Sequence, residues 1–298
     1  MDNRVGFHVS ISGGISNSID NALRIGCNAF QIFSRNPRGW TAKALQDEDV
    51  ENFRKKLAES KIQRDSVFVH MPYLPNLSSS DSKLFKKSVN TLVEELMRCN
   101  ILDIPYIVLH VGNHGGTGKD NGVNQLVKAC NFAIENYHKL LSTAAKKQKG
   151  KDTITLLLEN SAGGKNSVAS KFDEMGLILD KLKSSDTRIG VCLDTCHAFA
   201  AGYDLRTENN INDTLDQFNN EVGLKNLKLV HLNDSKDNLN SNRDRHEHIG
   251  LGNIGKDGFR ALLNHKEIRK LPMIMETPVD KKRDDPDNLK AVLEILGR

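Results

Sequence analysis

Eight short apolar runs punctuate the chain, and they limit its fold more than any other feature. They read VGFHVS (5–10), AFQIFS (29–34), SVFVHM (66–71), YIVLHVG (106–112), TLLLEN (155–160), IGVCLDT (189–195), LKLVHLND (227–234) and PMIMET (272–277). Each is rich in Val, Ile, Leu or Phe with little strict alternation, the pattern of parallel strands covered on both faces. Segments of helical period lie between them. Phe85, Val89, Leu92 and Leu96 make one apolar face, and Leu289, Val292, Leu293 and Leu296 make another at i, i+3, i+4, i+7. Eight strands alternating with helices predict an α/β fold, a single (β/α)8 TIM barrel. The 298 residues suit that barrel, and no composition shift or low-complexity linker divides them, so one domain over 1–298 is expected.

Composition narrows the setting. Hydrophobic residues at 38% and charged residues at 27% allow a packed core. The net charge of +4 permits a polyanionic partner without arguing for one. The opening MDNRVGFHVS is too polar for a secretory signal, and no apolar run approaches the ~20 residues of a membrane span. The expectation is a soluble, cytoplasmic chain without a membrane partner. Cys27, Cys99, Cys130, Cys192 and Cys196 are sparse and odd in number, which fits a reducing compartment. Cys192 and Cys196 fall on the sixth strand and just past it, with no second Cys pair, and are read as packing. The basic run KKQKGKD (146–152) precedes the fifth strand and falls on the face away from the site. KKR at 281–283 falls on the catalytic face, where a phosphate role stays open.

Metal-capable residues gather where the strands end. The third strand ends in His70, the fourth in His110 and the fifth in Glu159. The sixth ends in Asp194 with His197 three residues on, the seventh in His231 and the eighth in Glu276. A lone histidine at a strand end is usually structural. Six strand ends that a closed barrel brings into one ring are harder to dismiss. Such carboxylates would repel one another in a partly dry site, and cations relieve the repulsion. Imidazole with carboxylate suits zinc or manganese.

The stretch HLNDSKDNLNSNRDRHEHIGLGNIG (231–255) offers two readings. Its glycines 250, 252 and 255 are spaced G-x-G-x-x-G, but a dinucleotide fingerprint should leave a strand directly. About fifteen polar residues intervene here, so the glycines are read as a turn into a helix near Asp257–Leu263. In the loop from Ser235 to Glu247, Asp244 and His246 stand two apart and can point the same way in an extended segment. With His197 they could hold a further cation.

HVSISGG near the start, FVHMPYLPNL (68–77), LHVG (109–112), LLEN (157–160), CLDTCHAFAAGYD (192–204), HLNDSK with DRHEHIGLGNIG, and MIMETP (273–278) run through the chain in that order. With these blocks the chain resembles the endonuclease IV family of apurinic/apyrimidinic endonucleases, on a xylose-isomerase-like barrel. The resemblance implies three zinc ions, with Mn2+ an option at one site. His70 and His110 would bind one, and Glu159 would bridge it to a second completed by Asp194, His231 and Glu276. His197, Asp244 and His246 would bind the third. Glu276 and Glu159 would serve catalysis, Glu276 by orienting or deprotonating the attacking water. The implied activity is base-excision repair: hydrolysis 5′ to an abasic site in duplex DNA, leaving a 3′ hydroxyl and a 5′ deoxyribose phosphate. Blocked 3′ ends are a further substrate the residues leave open, and a monomer is expected. SRNPRGW (34–40) offers Asn36, Arg38 and Trp40, and MPYLPNL offers Tyr73 and Leu74. Family residues matching Arg38, Tyr73 and Leu74 wedge into the base stack and hold the abasic nucleotide out. Pro37 stands where the family often has a polar residue.

Other residues receive lesser roles. His8 is read as supporting rather than ligating, His114 as part of a solvated loop, and His248 as hydrogen-bonding near the third site. His138 and His265 are read as incidental, and Asn160, Asn233 and Asp234 as orienting ligands or phosphate. The main alternative is a sugar isomerase or epimerase with one divalent ion held by Glu159, Asp194, His231 and Glu276. His70, His110, Asp244, His246, Arg38 and Tyr73 speak against it. A non-enzymatic damage binder on a decayed barrel is the other alternative, and the full set of expected ligands argues against decay.

Overall fold

The computed structural model describes residues 3–144, 154–182 and 188–298; the basic run at 146–152 lies outside them. The strands are β1 (Arg4–His8), β2 (Ala29–Phe33), β3 (Val67–His70), β4 (Tyr106–His110), β5 (Thr155–Glu159), β6 (Arg188–Asp194), β7 (Leu227–His231), the short β8 (Asp234–Ser235) and β9 (His246–Glu247), and β10 (Pro272–Met275). The helices are α1 (Asn17–Ile25), α2 (Asp47–Glu59), α3 (Ser82–Leu102), α4 (Lys119–Ala144), α5 (Phe172–Leu182), α6 (Thr195–Ala200), α7 (Glu208–Glu221), α8 (Gly255–Asn264) and α9 (Asp285–Ile295). Strands β1 to β7 and β10 close into a barrel in chain order, every neighbour parallel. The eight apolar runs are these eight barrel strands; all of the strands but β6 are shorter than their runs.

Apolar side chains fill the barrel inside and out. Ala29, Phe68, Val108, Leu157, Cys192, Leu229 and Ile274 form the inner plug, and a much larger cluster packs strands against helices. Cys192 thus packs the interior, and its thiol is pushed up to about 12 by burial. Closure between β1 and β2 requires a glycine. A Cβ at Gly6 would lie 1.7 Å from the backbone oxygen of Ala29.

The seventh run breaks early. Strand β7 stops at His231, and the chain turns so that Thr195 Oγ accepts the Asn233 amide at 2.9 Å and donates to the Asn233 carbonyl at 2.7 Å. Asp234–Ser235 then pairs antiparallel with His246–Glu247. The segment read as a loop between Ser235 and Glu247 is therefore an arm whose two ends are hydrogen-bonded together, standing over the strand ends. Among the described residues no helix is long and apolar enough to cross a membrane.

Candidate metal centre

The barrel carries the strand-end residues to one rim. His110 and Glu159 are register partners across β4 and β5, and Asp194 and His231 are partners across β6 and β7. Asp194 also caps α6, its carboxylate accepting the His197 amide at 2.8 Å, so His197 enters the ring from the first helical turn. Glu276 follows the last residue of β10.

Glu159 is the hub. It is buried, and its two oxygens face different imidazoles. Oε2 lies 3.3 Å from His70 Nε2 and 3.3 Å from His110 Nε2. Oε1 lies 3.2 Å from His231 Nδ1 and 3.4 Å from His197 Nδ1. His231 Nδ1 is also 3.4 Å from Glu276 Oε2 and 3.9 Å from Asp194 Oδ2. Two sets of ligand atoms, each within 4.8 Å of one another, follow: His70, His110 and Glu159, and Glu159, Asp194, His231 and Glu276. Those are the two sets expected from the sequence, sharing Glu159.

The third set is assembled with a difference. Asp244 Oδ1 sits 3.1 Å from His197 Nε2 and 3.3 Å from His246 Nε2. Both nitrogens are buried and meet that carboxylate without an aligned hydrogen bond to it. The groupings whose ligand atoms all lie within 4.8 Å of one another, however, join His197 and His246 with Asp194, and Asp244 and His246 with Cys196. The sequence assigns Cys196 to packing alone. It follows Asp194 by two residues, and burial and the Asp194 charge push its thiol well up, so it packs as a neutral group.

The imidazoles are oriented from behind. His70 Nδ1 donates to the Met71 carbonyl at 2.7 Å, His197 Nδ1 to the Asn160 carbonyl at 2.9 Å, and His246 Nδ1 to the Glu276 carbonyl at 3.0 Å. Each leaves Nε2 as a lone pair toward the cavity, the arrangement of a ligating histidine. Asn160 and Asn233 do the orienting read from the sequence. Asn160 Oδ1 accepts the Asp194 amide at 2.7 Å. Asn233 Nδ2 donates to Asp194 Oδ2 at 2.7 Å, and its Oδ1 accepts the Glu276 amide at 2.8 Å. The sequence reading missed Gln31, which bonds Glu276, His8 and His231. The signal was available: Gln31 is the polar residue of the run AFQIF.

Electrostatics report a ring short of positive charge. Burial would raise Glu159 and Glu276. The charges on His231 and His110 outweigh it for Glu159, and those on His231 and His70 with the His8 contact outweigh it for Glu276; both carboxyls are held well below the usual range. Burial would lower His110, His197 and His246, yet neighbouring carboxylates raise all three, His246 to about 9. Carboxylates that pull protons onto these rings fit divalent cations, which supply the same charge without protons. The unpartnered Nε2 atoms of His197 and His246 and the imidazole–carboxylate donor set fit zinc or manganese.

Asp234 and its glycines do something else. Its carboxylate accepts the amides of Ser235, Gly250, Gly252 and Ile254 at 2.8–3.0 Å. A Cβ at Gly252 would lie 2.4 Å from the Ser235 oxygen. The G-x-G-x-x-G turn wraps a carboxylate of its own chain, which leaves a pyrophosphate no place there. Of KKR, Lys282 pairs with Glu247 at 3.0 Å and Arg283 donates to the Ile249 carbonyl at 2.7 Å, so two of the three brace the arm. His248 hydrogen-bonds Asp280 and Asn288, in line with its reading. His114 departs from its reading as part of a solvated loop. It is buried, and its Nδ1 accepts the amides of Gly116 and Gly118.

The ring opens to solvent through a cavity of about 450 Å³ whose walls include His8, Phe33, Tyr73 and Val279. Tyr73, which lines it, is 60% exposed, and the neighbouring Leu74 is 38% exposed. The Tyr73 amide donates to the Pro37 carbonyl at 3.2 Å, joining the loops after β2 and β3, and its ring packs edge-on against Phe33. Asn36 Oδ1 accepts the Arg38 amide at 3.0 Å and so shapes the turn that presents Arg38. A second cleft, lined by Gly112, Asn113, Ser161 and Asn242, meets the first over His110, His197 and Asp244.

Comparison with known proteins agrees with the barrel fold. A family model described as a xylose isomerase-like TIM barrel matches residues 19–298. The "Probable endonuclease 4" of Cenarchaeum symbiosum is 51% identical over 99% of this chain and 100% of its own, and that of Nitrosopumilus maritimus 49% identical over 98% and 99%. Among solved structures, endonuclease IV from Thermus thermophilus superposes with a TM-score of 0.81 at 33% identity, covering 99% of each chain. A D-tagatose 3-epimerase-like protein superposes with a TM-score of 0.69 at 17% identity, a likeness of fold alone.

Proposed function

The chain belongs to the endonuclease IV family of xylose isomerase-like TIM barrels and is a DNA-cleaving hydrolase of that type, and from that premise we propose that it hydrolyses the phosphodiester 5′ to an abasic site in duplex DNA. The products are a 3′ hydroxyl and a 5′ deoxyribose phosphate, and blocked 3′ ends are cleaned at the same centre. One barrel domain over 1–298 acts as a monomer inside the cell.

The observation that carries the reading is the bridging position of Glu159, its two oxygens serving two ligand sets within one rim. We assign His70, His110 and Glu159 to one zinc ion, Glu159, Asp194, His231 and Glu276 to a second, and His197, Asp244 and His246 to a third, with Mn2+ an option at one. When bound, such ions supply Lewis-acid charge that acidifies water and neutralises phosphate oxygens. Glu276 orients the attacking water and takes its proton. Glu159 fixes the spacing of the two ligand sets. Arg38, Tyr73 and Leu74 enter the stack beside the lesion, with Asn36 holding the turn beneath Arg38. The cavity behind Tyr73 receives the displaced sugar. A one-ion sugar isomerase would use Glu159, Asp194, His231 and Glu276 but leaves His70, His110, Asp244 and His246 without a purpose.

The test is incision of a duplex carrying one tetrahydrofuran abasic analogue, which cannot undergo β-elimination. A nick on its 5′ side ending in a 3′ hydroxyl is expected, with undamaged duplex intact. No nick from metal-loaded protein would overturn the substrate assignment.

A further inference from the structure

We propose that Gln31 is a positioning residue of this centre: its side-chain amide fixes the ring protonation of His231 and leaves Glu276 one free carboxylate oxygen. The inference rests on the metal-dependent reading above.

Gln31 lies on β2 and is fully buried. A buried primary amide in an apolar strand is costly unless bonded, and a methionine would fill the same space without that cost. Each of its polar atoms is used. Nε2 lies 2.8 Å from Glu276 Oε1 and 3.0 Å from His8 Nδ1, and Oε1 lies 3.0 Å from His231 Nε2.

The carboxylate decides which way the amide points. Two oxygens at 2.8 Å would repel, so the nitrogen faces Glu276. The amide oxygen then faces His231 Nε2 and can only accept, so that nitrogen carries the ring proton. A neutral imidazole has a single N–H, so His231 Nδ1 is left as a lone pair. It points at Glu159 Oε1 at 3.2 Å and Glu276 Oε2 at 3.4 Å. A lone pair against two carboxylate oxygens is favourable with a cation among them. His231 therefore ligates through the ring nitrogen opposite to that of His70, His197 and His246, whose Nδ1 atoms are tied to carbonyls. No carbonyl backs His231 Nε2; Gln31, from a strand across the barrel, takes that place.

The same amide shapes one more group. It donates to Glu276 Oε1, which is thereby held with Oε1 occupied and Oε2 toward the ring.

The test uses Gln31→Met, which keeps side-chain length and removes donor and acceptor together. Zinc-loaded parent and variant are dialysed against graded chelator and their residual zinc counted, and incision of abasic duplex gives kcat and KM. The variant should keep the parent's circular dichroism and release zinc at about 10- to 100-fold lower chelator, with kcat reduced by a similar factor and KM unchanged. Zinc retention and kcat equal to the parent overturn the proposal. The parent chain supplies an independent reading should the variant fail to fold. Long-range 1H–15N correlation of the zinc-loaded protein should place the proton of His231 on Nε2, and a proton on His231 Nδ1 overturns the proposal. If the parent holds zinc but leaves abasic DNA uncut, the substrate reading fails while the chelator and spectroscopic arms still decide Gln31.

Discussion

His246 Nδ1 lies 3.0 Å from the backbone oxygen of Glu276. The contact ties the arm bearing Asp244 and His246 to the end of β10, where another proposed ligand sits. The third ligand set is thus held by the second set's backbone, although the two are thirty residues apart in the chain. His246→Ala should therefore cost more than one ligand. The variant is expected to lose one equivalent of zinc, keep the rest, and cut abasic duplex about 10- to 100-fold more slowly. Metal counting after gel filtration checks it; full zinc content would place His246 outside the centre.

Glu276 separates chemistry from binding. Its Oε1 is bonded to Gln31, its Oε2 faces His231, and the backbone around it is held by Asn233 and His246. Replacing the carboxylate removes a proton acceptor and one anionic ligand of the proposed second ion without removing a loop. Glu276→Gln should fold, bind abasic duplex, and lose about 10²- to 10⁴-fold in kcat, the usual worth of a general base. A fully active variant would remove Glu276 from the mechanism.

The sequence and the structure agree where one residue type answers to one physical demand. The barrel was legible because strands covered on both faces must be apolar, and a His, Asp or Glu ending such a run stands out. His70, His110, Glu159, Asp194 and His231 carry that signal. The third set was less legible because its geometry depends on tertiary pairing. Asp244 is brought over His197 by a two-residue ladder between Ser235 and His246 that no periodicity announces. Gln31 was missed because an amide has no chemistry of its own in sequence; its meaning lies in which three groups surround it. Asp234 was misassigned for a related reason. Its partners are backbone amides of a turn sixteen to twenty residues on, and side-chain patterns are silent about those.

Asp49 gives the fold a pH dependence away from the ring. Its carboxylate accepts the amides of Ile15 at 2.7 Å and Ser16 at 3.1 Å, tying the turn before α1 to α2. Burial would raise its pKa, but those hydrogen bonds and the Lys56 charge win, and it is lowered from 3.8. A carboxyl lowered on folding stabilises the native state above its unfolded value and loses that contribution as pH falls through the folded value. Asp49→Asn should lower Tm by roughly 2–4 °C at neutral pH. The difference should shrink on titration below about pH 4. A gap that stays constant down to acid would mean the charge is not what matters.

The two loops at the cavity mouth act as one unit. The Tyr73 amide bonds the Pro37 carbonyl, so displacing one loop displaces the other, and Arg38 follows that contact in the turn after β2. Pro37, with no amide hydrogen to give, offers its carbonyl instead. Tyr73 at that mouth and its neighbour Leu74 remain exposed, apolar surface left out of the core. An aromatic that stacks on a base contributes about 1–3 kcal/mol. Arg38→Ala combined with Tyr73→Ala should therefore weaken binding to abasic duplex by about 10- to 100-fold, the lower part of what the stack and one charge together supply. Zinc content should stay at the parent value, because neither residue touches the ring, and binding to undamaged duplex should change far less. Fluorescence anisotropy with paired damaged and undamaged duplexes measures both. Equal loss on the two duplexes would make these residues general backbone contacts, and unchanged affinity for the damaged one would reduce them to loop packing.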